Sequence, residues 1–349
     1  MKYINQLEPN EIVENFLLHP PKDFSAWINQ DDVPMFSAKF DLLTTADDDF
    51  KHKVQKIPFY KKWQHWLQPK TCFVGTTVSE YGLLTNKVTA KQLADDLKKA
   101  YTKQYPFVIV KDLPLDSPLL SEQDNQYSTA LISALKNLGF IEVEGQALAW
   151  LAIDFDNIDE VFSRFSYSRR KNFRRKLKSR EKLEINVLNS GDDCFFDQAI
   201  LDKYYQLYLN VYEQSEIHFD QLTKPFFIQL LQSKSAQARI FTYHHNNELI
   251  GYNICFVVNN MLVDKYIGMV YPQARELNLY FVSWFVNLQY ALEQGFSHYI
   301  AGWTDPEVKA SLGANFTLTK HLVYIRNPLL RFILSKLIGH FESDKEKVA

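Results

Sequence analysis

The sequence is poor in glycine and cysteine. Its 11 glycines among 349 residues argue against a fold dominated by glycine-rich nucleotide loops. The three cysteines, Cys72, Cys194 and Cys255, are odd in number and far apart along the chain. They therefore indicate no disulfide framework and favour a reducing compartment.

No hydrophobic run has the length of a membrane-spanning helix. The longest uncharged apolar stretches, Leu277–Leu292 and Leu249–Val263, fall short of the ~20 residues that a span needs, and both contain Asn or Gln. The N-terminus, MKYINQLEPNEIVENF, carries acidic residues where a secretion signal would be apolar. These features predict a soluble, cytoplasmic protein.

The chain also lacks a large net charge and the common catalytic motifs. A net charge of −2 gives no global attraction to nucleic acid or to an anionic membrane, so such binding would need a local patch. GxGxxG, P-loop, GxSxG, HExxH and paired CxxC patterns are all absent. His244 and His245 are neighbours on a predicted strand and point to opposite faces, so no metal site is expected.

What the sequence does contain is a regular succession of helical and extended patterns. A length of 349 residues suggests two domains, and 46% hydrophobic residues are typical of globular chains. In the first half, strand and helix patterns alternate over Thr71–Leu84, a helix capped by Thr89 and Gln92, Phe107–Val110, Glu122–Leu138 and Phe140–Asp154.

The second half repeats this order after a basic helix. The predicted helices are Ile158–Lys182, Phe195–Tyr212, Lys224–Leu231, Leu279–Gln294 and Pro306–Leu312, followed by an amphipathic helix, Leu329–Phe341. The predicted strands are Leu183–Leu188, Ala238–His244, Leu249–Val258, Met261–Val270, His298–Gly302 and Leu318–Arg326. Tight loops join the second strand of this set to the third and the third to the fourth.

This element order resembles the GNAT acyltransferase fold. Three segments, Tyr167–Leu177, Ile267–Ala291 and Gly302–Gly313, are similar to the subgroup that carries two GNAT-like units, which includes the Fem-type aminoacyl transferases and related predicted N-acyltransferases. The resemblance implies an α/β chain of two GNAT-like units, each a mixed, mostly antiparallel sheet flanked by helices. It implies a degenerate N-terminal domain at 1–150, an acyltransferase domain at 151–327, and a terminal amphipathic helix with a charged tail at 328–349.

The resemblance also implies a donor site. In GNAT proteins the strand matching Met261–Val270 separates from the strand matching His298–Gly302, and an acyl-CoA or acetyl-CoA arm lies between them. Its pyrophosphate would rest on the N–H groups at the start of the next helix. The implied cofactor-binding residues are Met269, Val270, Tyr271, Ala274, Arg275, Leu277 and Asn278.

The sequence departs from the family at this turn. The segment Tyr271–Asn278 contains no glycine, and Glu276 adds a negative charge close to the expected phosphates. Fem-type proteins also lack the glycine loop and take aminoacyl groups from tRNA. The departure leaves two donors open, an acyl-CoA thioester as the preferred one and aminoacyl-tRNA as its rival.

The catalytic candidates are Asp264, Tyr266 and Lys309. Asp264 and Tyr266 are two residues apart on one predicted strand and are expected on the same face, where one of them could accept the proton of an attacking amine. Lys309 matches a position where the subgroup often has lysine. Each is also compatible with a purely structural role.

The sharpest compositional feature is the basic helix Arg169–Lys182. It is either a phosphate-binding surface for CoA, a nucleotide-linked sugar or tRNA, or an ordinary solvated helix face. The preferred function is N-acyl transfer to the amine of a small molecule or cell-envelope precursor. The alternatives are a Fem-type aminoacyl transferase and a non-catalytic binding module, and homodimerisation through the terminal helix is a further hypothesis.

Overall fold

The computed structural model describes residues 3–43, 48–215 and 218–336. Within these ranges the strands are β1 (Ser25–Ile28), β2 (Pro34–Lys39), β3 (Lys70–Val74), β4 (Phe107–Pro114), β5 (Ile141–Ala152), β6 (Glu184–Asn189), β7 (Ala238–His245), β8 (Glu248–Val258), β9 (Met261–Met269), β10 (His298–Gly302) and β11 (Asn315–Ile325).

The α-helices alternate with these strands along the chain. They are α1 (Asn10–Leu18), α2 (Asp48–Gln55), α3 (Tyr60–Trp63), α4 (Ala90–Tyr101), α5 (Glu122–Asn137), α6 (Ile158–Ser163), α7 (Tyr167–Leu177), α8 (Gln198–Gln214), α9 (Lys224–Gln232), α10 (Gln273–Glu276), α11 (Leu279–Glu293), α12 (Pro306–Ser311) and α13 (Pro328–Lys336). Short 3-10 turns cover Gln64–Leu67, Lys178–Lys182 and Asp193–Phe196.

The chain folds into two compact units. Of the described residues, the first unit contains those up to Leu148, together with Trp303–Ala310 and the segment from Phe316 onward. The second unit contains Ala149–Gly302 and Ser311–Asn315. The predicted domains were drawn as continuous stretches, whereas the contacts group most of β11, the last strand of the predicted second domain, with the first unit.

The first unit is a mixed sheet in the order β1-β2-β3-β4-β11-β5. β1, β2 and β3 are antiparallel neighbours, β4 is parallel to β3, and β11 is antiparallel to β4. α4 and α5 pack on it through apolar residues spaced three or four apart, such as Leu93, Leu97, Leu131 and Leu135. Thr89 caps α4 as predicted, since its side chain accepts the N–H of Gln92.

The second unit has the sheet order β5-β10-β9-β8-β7-β6, of which β5 supplies its last four residues. β10 is parallel to β9, and the other pairs are antiparallel. The β7–β8 and β8–β9 loops each contain two asparagines with positive φ, the conformation that two-residue hairpin loops require.

Helices cover both faces of this second sheet. Tyr252 of β8 stacks on Tyr204 of α8 at 4.7 Å, and the apolar side of α11 packs into a core cluster that contains Cys255. Residues 252 and 255 lie on opposite faces because side chains alternate along a strand. Both units therefore have the mixed, helix-flanked GNAT-like organisation that the sequence predicted.

Some predicted elements are wrong in detail. The predicted single helix Ile158–Lys182 is broken, because Ser166 starts a new helix by accepting the N–H of Arg169 with its side chain. The predicted strand Thr71–Leu84 ends at Val74, and Gly75 follows with φ +116°. The predicted helix Leu329–Phe341 is α13 up to Lys336, and its remainder and the charged tail lie outside the described residues.

No described helix combines the length and the apolar character that a membrane crossing requires.

Candidate functional site

The strands β9 and β10 separate within the second unit. They pair at only three positions, and the last pair is Val263 with Ile300. Beyond it, both strands carry irregularities: Lys265 is an extra residue in the pairing of β9 with β8, and Ala301 is an extra residue in the pairing of β10 with β5. Because bulges bend and twist a strand, they account for a divergence that begins directly after Val263.

The first residue after the shared pairing is Asp264. Its half-buried carboxylate accepts hydrogen bonds from Asn253 Nδ2 at 3.2 Å to either oxygen, from Asn287 Nδ2 at 3.0 Å, and from the Tyr299 hydroxyl at 2.8 Å. These partners come from β8, α11 and β10 in turn. We call these four residues the Asp264 cluster. Three donors from three elements hold the carboxylate in one orientation at the point where the pairing of β9 with β10 ends.

The groups next to this carboxylate stay protonated at neutral pH. Burial raises the pKa of Tyr299 well above its usual value, and the negative charge of Asp264 raises it further. Burial likewise raises the pKa of Tyr243 and of Cys255, with Asp264 as an additional cause for each. The described groups whose pKa Asp264 raises are therefore neutral hydrogen-bonding partners, and Arg180 is a positive charge that acts on Tyr243 from nearby.

Several buried polar atoms near the carboxylate have no hydrogen-bond partner within the described ranges. They are the amide oxygens of Asn253 and Asn287, the hydroxyl of Tyr243 and the indole nitrogen of Trp284. A carboxylate only accepts, so each asparagine must turn its NH₂ toward Asp264 and its oxygen away. Because orphaned buried polar atoms are costly, they indicate a site whose partner is a bound group or water.

Tyr266 does not join this cluster. Its ring packs on Phe226 and Phe227 of α9, at 6.1 and 5.7 Å between ring centres. The extra residue Lys265 breaks the alternation of β9, so Asp264 and Tyr266 point to opposite faces of the sheet. The prediction that they share one face is wrong.

Lys309 belongs to the first unit, on α12. Its residue is only 3% exposed, and its backbone N–H donates to the carbonyl of Asp305 at 3.1 Å. Asp305 has φ +53° and precedes Pro306, the first residue of the helix. A buried lysine contributes to folding as well as to any binding, so substitution of Lys309 alone does not isolate a functional role.

The predicted cofactor-binding residues form a compact turn between β9 and α11. Met269, Ala274 and Leu277 are buried in the core. The N–H groups of Val270, Ala274, Arg275, Leu277 and Asn278 donate to backbone carbonyls at 2.8 to 3.1 Å. These five donors are satisfied within the fold, so they are not the open cradle of N–H groups that a pyrophosphate needs.

The basic segment lies against the start of α11. Asn278, which precedes α11 with φ +51°, donates its side-chain amide to Ser179 at 3.2 Å, and Lys176 Nζ lies 5.2 Å from the centre of the Phe281 ring. Arg275 in the turn binds Gln214 and stacks its guanidinium on Tyr271 at 5.1 Å. Within α7 only Phe173 is buried. Cationic side chains thus surround the positive end of the α11 dipole.

Two residues of the Asp264 cluster that were not predicted as site residues could have been recognised in the sequence. Asn253 interrupts the apolar run LIGYNICFVV, and Asn287 lies in the largely apolar run LYFVSWFVNLQY. An amide that such a run buries must find a polar partner, and Asp264 was a candidate. Tyr299 carried no such signal, since tyrosine is common in cores.

Fold and site together define a two-unit GNAT-type protein with a carboxylate at the strand divergence. The FemAB-like family, described as peptidoglycan biosynthesis/recognition, matches residues 90–348. Because this match covers well over half of the chain, the protein belongs to the FemAB-like family. A comparison with curated proteins finds no match.

Solved structures share the fold at low sequence identity. L-PGS from Bacillus licheniformis superposes with a TM-score of 0.54 at 12% identity, covering 97% of this chain and 99% of that one. The C-terminal domain of a putative lysylphosphatidylglycerol synthetase from Agrobacterium fabrum gives 0.54 at 8% identity, with 96% and 98% covered. FemX gives 0.53 at 13% identity, with 96% and 99% covered. These likenesses establish the fold, and the family places the chain among acyl and aminoacyl transferases.

Proposed function

We propose that this protein transfers an aminoacyl group from the ester of an aminoacyl-tRNA to a primary amine on a peptidoglycan precursor. The observation that carries the proposal is the Asp264 carboxylate, fixed by three donors where β9 and β10 separate. Acyl transfer to an amine needs a positioned base, and this carboxylate is held where β9 loses its pairing with β10.

The proposed reaction is aminolysis of an ester. The acceptor ammonium gives one proton to Asp264, and the neutral amine nitrogen then bonds to the ester carbonyl carbon. The C–O bond to the tRNA ribose breaks, the second N–H proton goes to the leaving ribose oxygen, and Asp264 releases its proton to water. The neutral phenol of Tyr243, whose hydroxyl has no partner among the described residues, is the nearby O–H group for the developing oxyanion, since the O–H of Tyr299 already donates to Asp264.

The orphaned amide oxygens suit an amine. Asn253 and Asn287 each direct Oδ1 away from Asp264, and neither oxygen has a partner among the described residues. A primary ammonium carries three N–H donors and needs acceptors of this kind. The carboxylate and the two amide oxygens provide them.

Two features favour tRNA over CoA as the donor. The turn Tyr271–Asn278 uses most of its N–H groups in backbone hydrogen bonds of its own, which supports a donor that needs no pyrophosphate site in this turn. The start of α11 is instead bordered by the basic segment that carries Lys176 and Arg180. Cationic side chains on a helix and the following turn suit a phosphate backbone, and their contribution falls with salt.

Acyl-CoA is the second candidate donor, because β9 has an edge that does not pair with β10. From Asp264 to Met269, β9 pairs with β8 on one side and has no pairing with β10 within the described residues. Such an edge can bind an extended pantetheine arm through backbone hydrogen bonds, as an added strand would.

A charge-reversal experiment separates the donors. The double variant Lys176→Glu/Arg180→Glu is compared with Lys203→Glu, which changes an exposed lysine on α8. The assay is filter binding of aminoacyl-tRNA between 50 and 200 mM salt. Over this range a protein with several phosphate contacts loses ~10³-fold or more in affinity. We expect the double variant to bind at least ~10-fold more weakly and with a shallower salt slope, while Lys203→Glu matches the native protein.

The same samples are tested for CoA binding by thermal shift. A rise in Tm with acyl-CoA thioesters, together with salt-insensitive or absent tRNA binding, would replace the first donor with the second. If the protein shows neither the rise in Tm nor the binding of tRNA, it does not bind these donors.

A further inference from the structure

The connection between β2 and β3 is unusually long. It runs from residue 40 to residue 69 and contains α2, α3 and the 3-10 turn Gln64–Leu67. Its base is closed by hydrogen bonds from Phe40 N to Pro69 O at 3.2 Å and from Leu42 N to Leu67 O at 2.9 Å.

The described side chains of this segment are not packed into a core. Among them, from Asp49 to Lys70, none is buried. Ile57 and Phe59, in the turn between α2 and α3, are 48% and 73% exposed. Large apolar side chains that are exposed next to one another indicate a surface that another phase or molecule covers.

The tip of the segment forms a shallow groove of about 700 Å³. It is lined by Gln55, Ile57, Phe59, Tyr60, Lys61, Lys62 and Gln64. Phe59 has φ +62°, which is uncommon for a bulky residue, and Lys62 Nζ lies 5.4 Å from the centre of its ring. The tip thus presents an exposed aromatic ring with a cation beside it.

The central part of the connection is basic. Four aspartates, Asp41 and Asp47–Asp49, precede it, and the stretch from Lys51 to Lys62 then contains five lysines and no acidic residue, in a chain of net charge −2. The lysines are Lys51, Lys53, Lys56, Lys61 and Lys62. The charge of whatever covers this surface is therefore expected to be negative.

We propose that residues 48–70 dock the protein on an anionic lipid surface. Ile57 and Phe59 enter the headgroup boundary, and the lysines contact the anionic headgroups. A lipid surface is favoured over RNA because single-stranded RNA is held by stacking on planar rings, whereas this tip exposes an aliphatic side chain beside its aromatic one. The inference stands apart from the proposed transfer reaction.

The test uses the full chain and vesicles of defined composition. Co-sedimentation is measured with phosphatidylcholine vesicles and with vesicles containing 30% phosphatidylglycerol, in low and high salt. We expect binding to the anionic vesicles alone, weakened by salt. Ile57→Ser/Phe59→Ser and Lys61→Glu/Lys62→Glu should each lower the vesicle partition coefficient by about 10-fold or more, since a lysine near such a surface contributes about a factor of five.

Two matched controls test the assignment to this segment. Phe196→Ser removes a phenylalanine that is 59% exposed in the second unit, and Lys203→Glu reverses an exposed lysine there. Both should bind vesicles like the native protein. Since the segment buries no described side chain, its variants should keep the native Tm.

Three results would overturn the proposal. They are equal binding to both vesicle types, no binding to either, or loss of binding in the control variants as well. Salt-sensitive binding of RNA through the same four residues, without vesicle binding, would assign the segment to nucleic acid instead.

Discussion

Replacing Asn287 with leucine is expected to leave the free energy of unfolding nearly unchanged, although the residue is fully buried. The change removes the hydrogen bond from Asn287 Nδ2 to Asp264 at 3.0 Å. A bond to a charged group contributes ~1.5–3 kcal/mol. The change also removes an orphaned amide oxygen, which recovers ~1–3 kcal/mol. The two effects nearly cancel, so we expect a net change within about 1 kcal/mol.

Asn125→Leu is the matched control for this prediction. Asn125, on α5, uses both amide atoms: Oδ1 accepts the N–H of Ser117 and Nδ2 donates to its carbonyl, each at 2.9 Å. Its replacement loses two neutral bonds and recovers nothing, so it should cost ~1–3 kcal/mol. Urea unfolding of the two variants gives the comparison. A loss of ~3 kcal/mol or more for Asn287→Leu would mean that its oxygen has a structural partner and that the cluster is not an open site.

Two further predictions concern stability. Burial lowers the pKa of His321, which accepts the N–H of Asp112 at 3.0 Å, so the unfolded chain binds a proton there that the folded chain does not. The free energy of unfolding should therefore fall as pH drops below ~6.5, by up to about 1.4 kcal/mol per pH unit. In urea unfolding, the free energy of His321→Asn should depend less steeply on pH than that of the native protein, and an equally steep dependence would contradict the role of His321. A Cβ on Gly251 would lie 2.9 Å from the carbonyl oxygen of Gly268 and 2.5 Å from Leu279 Cδ2. Gly251→Ala should thus destabilise by ~1–3 kcal/mol in calorimetry, and an unchanged Tm would contradict the contact.

The hairpins and capped helices of both units could be predicted because their signals are local. Thr89 with Gln92, and the asparagine pairs between the β7, β8 and β9 strands, specify a helix start and two tight loops by themselves. The grouping of β11 with the first unit depends on contacts across about 200 residues of sequence, for which no local pattern exists.

The site was harder to predict than the fold. Asp264 was identified from its position on the strand, but the bulge at Lys265 places the side chain of Tyr266 on the opposite face of the sheet from the one predicted. A bulge inserts one residue and leaves no mark in a run of strand-forming residues. Asn253 and Asn287 were visible as polar residues in apolar runs, yet only the structure brings them to one carboxylate.

The most direct test of the account is the single-turnover rate of aminoacyl transfer by Asp264→Asn, with an amine-bearing peptidoglycan precursor as acceptor. The substitution keeps the shape of the side chain and removes its capacity to take a proton. We expect a rate lower by ~10²–10⁴-fold, with donor affinity nearly unchanged. A variant that transfers the aminoacyl group at the native rate would contradict the role of this carboxylate.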